Sequence, residues 1–124
     1  MGARAITVER EKGDIVCERC RLADTPWTRL RGLLGRGRLD ADEGLLLRPV
    51  GAIHTFFMRF PIDVVFLDLE YVIVKVVHDV RPWRFAAARG AKAVLELSAG
   101  AAAGARLTVG ERLVPVPQWY REAA

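Results

Sequence analysis

"IHTFFMRFPIDVVFLDLEYVIVKVVH", residues Ile53–His78, decides how this chain folds. Valine, isoleucine and phenylalanine dominate it without a helical period, so it reads as three strands at 53–59, 62–68 and 71–78. Pro61 cannot donate a ladder hydrogen bond and must stand at a strand start or a bulge. The same stretch carries His54, Arg59 and Asp63, which a plain core does not need. If 53–59 is extended, His54, Phe56 and Met58 share one face, and Ile53, Thr55, Phe57 and Arg59 the other. Neither face is cleanly polar, so the strand is expected to be covered on both sides. Beyond Pro61, Asp63 falls on the same face as Val65 and Leu67, where an unpaired carboxylate is costly. Its partner must come from Arg59, Arg84, His54 or backbone N–H groups. Two readings follow: a buried carboxylate that stabilises the turn around Pro61, or a polar cluster at a pocket rim with His54 as its titratable member.

Outward from this stretch, residues 4–10 and 14–22 read as a hairpin around Lys12-Gly13. Thr25-Pro26 supplies an N-cap and a first-turn proline. The helix it opens is expected to run from Thr25 to Gly35 and pack through Trp27, Leu30 and Leu34. Arg29 and Arg36 would lie opposite, with Gly35 or Gly37 as the stop. "GLLLRPV" makes a strand halted by Pro49. "AVLEL" (93–97) makes another, "SAGAAAGARL" holds one helical turn, and "ERLVPV" forms the last strand. The expected fold is a strand-dominated α+β domain over 1–124. Its sheet would be small, curled or barrel-like and largely antiparallel, with one or two short helices. Strands 53–59, 62–68, 71–78 and 93–97 would form its centre.

The 124 residues are 52% apolar and 27% charged, a globular composition. A chain of this length buries roughly two-thirds of its unfolded surface, so neither disulfide nor metal is needed for stability. No apolar run approaches the ~18 residues of a membrane helix. No signal peptide is visible either, so the expected location is the cytoplasm. The net charge of +4 is carried mostly by arginine spread along the chain, which favours weak attraction to polyanions without a dedicated basic stripe.

"CERC", Cys17–Cys20, precedes the helix by too many residues for a helix-activated redox pair. On a straight strand its thiols would point to opposite faces, and a zinc site would have to borrow His54 and His78 at spacings unlike a finger. Two ordinary thiols, no metal and no cofactor are expected. "RPWR", Arg81–Arg84, sets a tryptophan between arginines. It is either a proline turn lidding the core or a stacking and anion-clamping element. No phosphate loop, G-x-S-x-G or H-E-x-x-H is present, and Ser98 is the only serine.

"GLLGR", "GLLLRP", "IHTFFMRFPIDVVFLD", "RPWR", "RGAKAVLEL" and "VGERL" follow one another in an order that resembles the domain of unknown function 192 family of prokaryotic proteins. The resemblance covers about residues 27–114. It implies a small strand-rich, barrel-like domain without an established activity. The family's motif positions fall on His54, Thr55, Met58, Pro61, Asp63, Phe66, Asp68 and Trp83. The chain departs from the pattern at Val50 and Ala88, where many relatives carry cysteine. It departs again at Tyr71, where a turn glycine is common.

The leading functional expectation is a binding or accessory module for a small ligand or a partner protein. Its candidate site comprises His54, Thr55, Met58, Arg59, Asp63, Asp68, Trp83 and Arg84. One alternative is a metal-independent hydrolase or lyase that uses His54 with Asp63 or Asp68 as acid and base. A second is an RNA-binding accessory module that uses Arg81, Trp83, Arg84 and the helix arginines. In that case nucleic acid would be the partner.

Overall fold

The computed structural model describes residues 3–123. Two strands, β1 (Arg4–Arg10) and β2 (Ile15–Ala23), form the expected hairpin. Its turn uses Gly13 at φ 102, a conformation that favours glycine. After α1 (Pro26–Arg31), β3 (Glu43–Leu47) runs parallel to β2, the one parallel pair among the described strands. The chain continues through β4 (Ala52–His54), β5 (Ile62–Leu67), β6 (Ile73–Val80), β7 (Phe85–Ala87) and β8 (Ala93–Ser98). It ends with α2 (Ala101–Gly104), β9 (Leu113–Pro117) and α3 (Gln118–Ala123).

Seven strands make one sheet in the order β6-β5-β8-β3-β2-β1-β9, and β4 and β7 form a separate two-stranded piece. The large sheet curls until its ends approach, where an antiparallel bridge joins Val72 to Arg112 without closing a barrel. Curling gives it an inside and an outside. Inside lie Ile6, Val8, Leu46, Val65, Leu95, Leu97 and Leu113, plugged by Ala102 of α2. Outside lie Leu45, Leu47, Ile62, Val64, Phe66 and Val94, covered by the α1 segment through Leu33 and by the β4–β7 piece through Ile53 and Met58. The middle strands β5 and β8 are buried on both faces, which is why their sequences are almost continuously apolar.

Several expectations require correction. The strand expected at 53–59 ends at His54 and lies outside the main sheet, because residues 55–60 turn rather than extend. The centre of the sheet is β8, β3 and β2, with β5 one strand further out and β6, expected in the centre, at the edge. Helix α1 starts as expected, with Thr25 as N-cap and Thr28 N–H donating to its Oγ1 at 3.2 Å. It stops at Gly32, not Gly35 or Gly37. Little more than one turn cannot carry an apolar stripe. Trp27 and Leu30 are therefore exposed, 62% and 72%, and Thr28 and Leu33 are buried instead. A third helix, α3, was not expected. Finally, Cys17 and Cys20 both face the core as free thiols. A bulge pairs Val8 with Cys17 but Ile6 with Cys20, and that extra residue reverses the parity of a straight strand. Gly44 on β3 makes room for them, since a Cβ there would stand 2.8 Å from Cys17 Sγ.

Candidate functional site

Asp63 is fully buried and faces inward, paired in register with Leu97 of the inner cluster. Its Oδ2 accepts from Gly100 N–H at 3.0 Å and Ala102 N–H at 3.0 Å, and its Oδ1 from Asp79 N–H at 2.9 Å. Gly100 is the N-cap of α2 and has no side chain of its own to cap with, so Asp63 caps that helix from a neighbouring strand. The third donor is delivered by a bulge in β6, where Asp79 sits at φ 51. The expected cluster of Asp63 with His54, Arg59 or Arg84 does not form, because backbone groups occupy both carboxylate oxygens. Asp68 also serves structure: its Oδ1 accepts from Glu70 N–H and Val72 N–H, both at 2.9 Å, and so fixes the β5–β6 turn. In that turn Tyr71 takes φ 65, the conformation a glycine would take more easily. Neither aspartate is bonded to His54, so the acid–base pair of the hydrolase reading is not assembled.

The remaining candidates gather on the outer face around Thr55. This residue is completely buried, and its Oγ1 donates to Arg81 O at 2.6 Å and accepts from Arg84 N–H at 2.9 Å. Its backbone adds three bonds: its N–H donates to Arg84 O, and its carbonyl accepts from Met58 N–H and Trp83 N–H. One threonine thus rivets the turn after β4 to the turn before β7. The rivet holds a ledge of rings. His54 stacks on Phe56 with centroids 4.8 Å apart, Phe56 on Trp83 at 5.7 Å, and Phe57 tilts against Trp83 at 4.7 Å. Phe57 and Trp83 both have positive φ, 67 and 66, and both are exposed, 71% and 56%. Arg59 and Arg84 are exposed beside them.

Behind the ledge a cavity of about 130 Å³ opens between α1 and the β4–β7 piece. His54 and Met58 line it, together with Leu33, Leu34, Ile53 and a residue that the sequence reading passed over, Glu96 of β8. Glu96 is only 5% exposed, and its neighbours in register, Leu45 and Val64, belong to the outer cluster. Burial pushes its carboxyl up to about 8. The signal was present as an acid in the middle of "AVLEL", where both faces of the strand are apolar. Val50 and Ala88, the positions where relatives carry cysteine, pack partly buried against the same outer cluster. No group of three or more His, Cys, Asp or Glu residues able to hold a metal occurs among the described residues. Among the described residues no helix is long and apolar enough to cross a membrane.

These features describe a small α+β domain built on a curled sheet, with a polar-floored cavity and an aromatic ledge on its outer face. The chain belongs to the DUF192 family, described as "Uncharacterized ACR", whose model matches residues 7–115. It is 35% identical over 98 residues to a UPF0127 protein of Thermococcus sibiricus, covering 75% of this chain and 63% of that protein. The chain therefore spans less than two-thirds of that relative's length. Two crystal structures share the fold. One, from Sinorhizobium meliloti 1021, is provisionally described as a transcription regulator (TM-score 0.80, 23% identity, 93% of this chain and 96% of that one). The other is a protein of unknown function from Novosphingobium aromaticivorans DSM 12444 (TM-score 0.75, 24% identity, 89% of this chain and 83% of that one).

Proposed function

We propose that the protein is a non-catalytic binding module that recognises a small ligand on its outer face. The ring ledge and the adjoining cavity would act as one site. The observation that carries this reading is the state of Phe57 and Trp83. Each holds a bulky side chain in the left-handed region, at a cost of about 1–3 kcal/mol, and each leaves more than half of that side chain in water. Burial does not offset such strain here. Rings held rigid and exposed beside an open cavity suit a ligand with a flat or apolar body. The buried Thr55 network supplies the rigidity that keeps binding from being spent on ordering the loop.

Phe57→Gly and Trp83→Gly test this directly. Both should leave thermal stability unchanged or raise it by up to about 1 kcal/mol, since glycine relieves the positive φ. Wild-type protein screened by NMR amide-shift mapping against small aromatic fragments should respond at residues 54–58 and 81–85. A stability loss above about 2 kcal/mol for both variants would make the rings structural and end the proposal.

The stacked rings also lie in the same loops as Arg59, Arg81 and Arg84, which supports nucleic acid as a second reading. Arg81 is already shared with Asp79 at 3.6 Å, and Arg29 and Arg36 of the α1 region are turned to backbone carbonyls and to Glu43. Oligonucleotide binding that survives ~0.2 M salt and falls on Trp83→Ala would put this reading first.

A further inference from the structure

Glu96 presents a physical problem that its surroundings do not solve. It is 95% removed from solvent, and burial alone accounts for its altered acidity, with no hydrogen-bonding or charged neighbour contributing. Yet no sealed side-chain oxygen or nitrogen lacks a partner among the described residues. Its carboxyl must therefore reach open space, and the space it lines is the cavity under α1. An unpaired carboxyl at the floor of an apolar cavity is destabilising in the empty protein. A ligand that pairs with it would remove that penalty.

We propose that this cavity is a subsite for a small neutral amide, held by Glu96 through one donated and one accepted hydrogen bond. The inference rests on reading the outer face as the recognition site, and it names the chemistry of its polar half. Size sets the first limit. About 130 Å³ corresponds to roughly four water molecules at ~30 Å³ each, enough for a short alkyl amide and little more. Leu33, Leu34, Leu47, Val50, Ile53 and Met58 form the apolar wall for the alkyl part.

Charge sets the second limit. Of the charged groups on the elements around Glu96, Asp63 of β5 faces the inner side and Glu43 of β3 lies outside the cavity. Besides Glu96, the cavity is therefore lined by Arg29 and Arg31 of α1 and His54 of β4, and its rim carries positive charge. A cationic ligand would have to pass two guanidinium groups. An anionic one would have to leave its charge without water among the apolar wall residues, where the floor carboxyl offers it a single donor. A neutral amide meets neither obstacle, and its C=O and N–H match the O–H and C=O of a protonated carboxyl. The raised pKa agrees, because a carboxyl titrating near 8 is mostly protonated at neutral pH.

The experiment uses the full chain and three probes of similar shape: butyramide, butylammonium and butyrate. Shift mapping should show butyramide perturbing residues around Glu96, Leu33 and Met58 at about pH 6, with a millimolar Kd. The affinity should weaken about tenfold by about pH 9.5, as the donated hydrogen bond is lost. Glu96→Gln keeps a donor and an acceptor, so it should bind butyramide within about threefold of wild type and without the pH dependence. Glu96→Leu should fold and not bind. Butylammonium binding that tightens with rising pH would overturn the proposal in favour of a cation site. Preferred binding of butyrate, or no response to butyramide at ~50 mM, would overturn it as well. Aromatic fragments that still perturb Phe57 and Trp83 while butyramide fails would show that the subsite has failed and the ledge has not.

Discussion

Two acids on neighbouring strands, Asp63 of β5 and Glu96 of β8, are buried almost equally and treated in opposite ways. Asp63 points into the curl, where three backbone N–H groups meet it and a helix end is completed by it. Glu96 points outward, under an element of little more than one helical turn, and meets no partner among the described residues. The inner face is thus finished as a structure. The outer face is left with a polar group unused and a space in front of it. Burial of a carboxyl says little about its role; the supply of donors around it says much more.

The largest expected effect lies on the inner side. Asp63→Ala strands three backbone donors at once and removes the cap of α2, so denaturant unfolding should show a loss on the order of 3–5 kcal/mol. A loss below about 1 kcal/mol would mean that water replaces the carboxylate easily, and the contrast with Glu96 would vanish.

Thr55 asks whether the outer face is unfinished only at Glu96. Its hydroxyl bonds to Arg81 O and to Arg84 N–H in a fully buried setting. Thr55→Val keeps the shape and deletes both bonds, and should cost on the order of 2 kcal/mol. The rings should loosen with it, seen as lost exchange protection at Trp83 N–H, which Thr55 O accepts. An unaffected amide at Trp83 would mean that the ledge is held by stacking alone.

Glu96 should reveal itself through pH. Its carboxyl titrates near 8 in the folded protein and near the ordinary 4.5 when unfolded, so the folded state holds the extra proton between those values. Stability is then full below about 4.5 and declines as pH rises towards 8, by up to about 1.4 kcal/mol per unit. Between pH 6 and pH 8 the wild type should lose about 2 kcal/mol more than Glu96→Gln, which has no proton to release. Parallel stability profiles for the two proteins would mean that Glu96 is solvated, and the comparison would have to be abandoned.

Much of this arrangement was legible in the sequence, and particular residues show where legibility stopped. Strands β1, β2, β3, β5, β6, β8 and β9 follow from alternation, turn residues and β-branched density, because these are local properties. The need of Asp63 for a partner was also legible from parity. Its donors were not, since Gly100 and Ala102 lie almost forty positions away and Asp79 is aimed by a bulge. The turn at 55–60 was missed because Phe56 and Phe57 have strand propensity, and a tertiary hydrogen-bond network at Thr55 overrides it. Glu96 was hidden for the opposite reason. It obeys the strand pattern of its neighbours, and only the cavity above it shows that its charge has nowhere to go.

The smallest expected effect concerns the roof of that cavity. Leu30 was expected to anchor α1, yet it is 72% exposed, and Leu33, past the helix end, is the residue that enters the outer cluster. Both line the space above Glu96. Leu30→Gln should therefore change stability by no more than about 0.5 kcal/mol, as surface substitutions do, whereas Leu33→Ala should cost 2 kcal/mol or more, roughly that of a core truncation. The pair of measurements decides how firmly the outer face is closed. If Leu30→Gln proved as costly as Leu33→Ala, α1 would be a packed lid and Glu96 would be sealed like Asp63, without the donors that make Asp63 tolerable. If the two separate as expected, one leucine anchors the segment while the other only edges an opening, and the unpaired carboxyl keeps its path to a ligand.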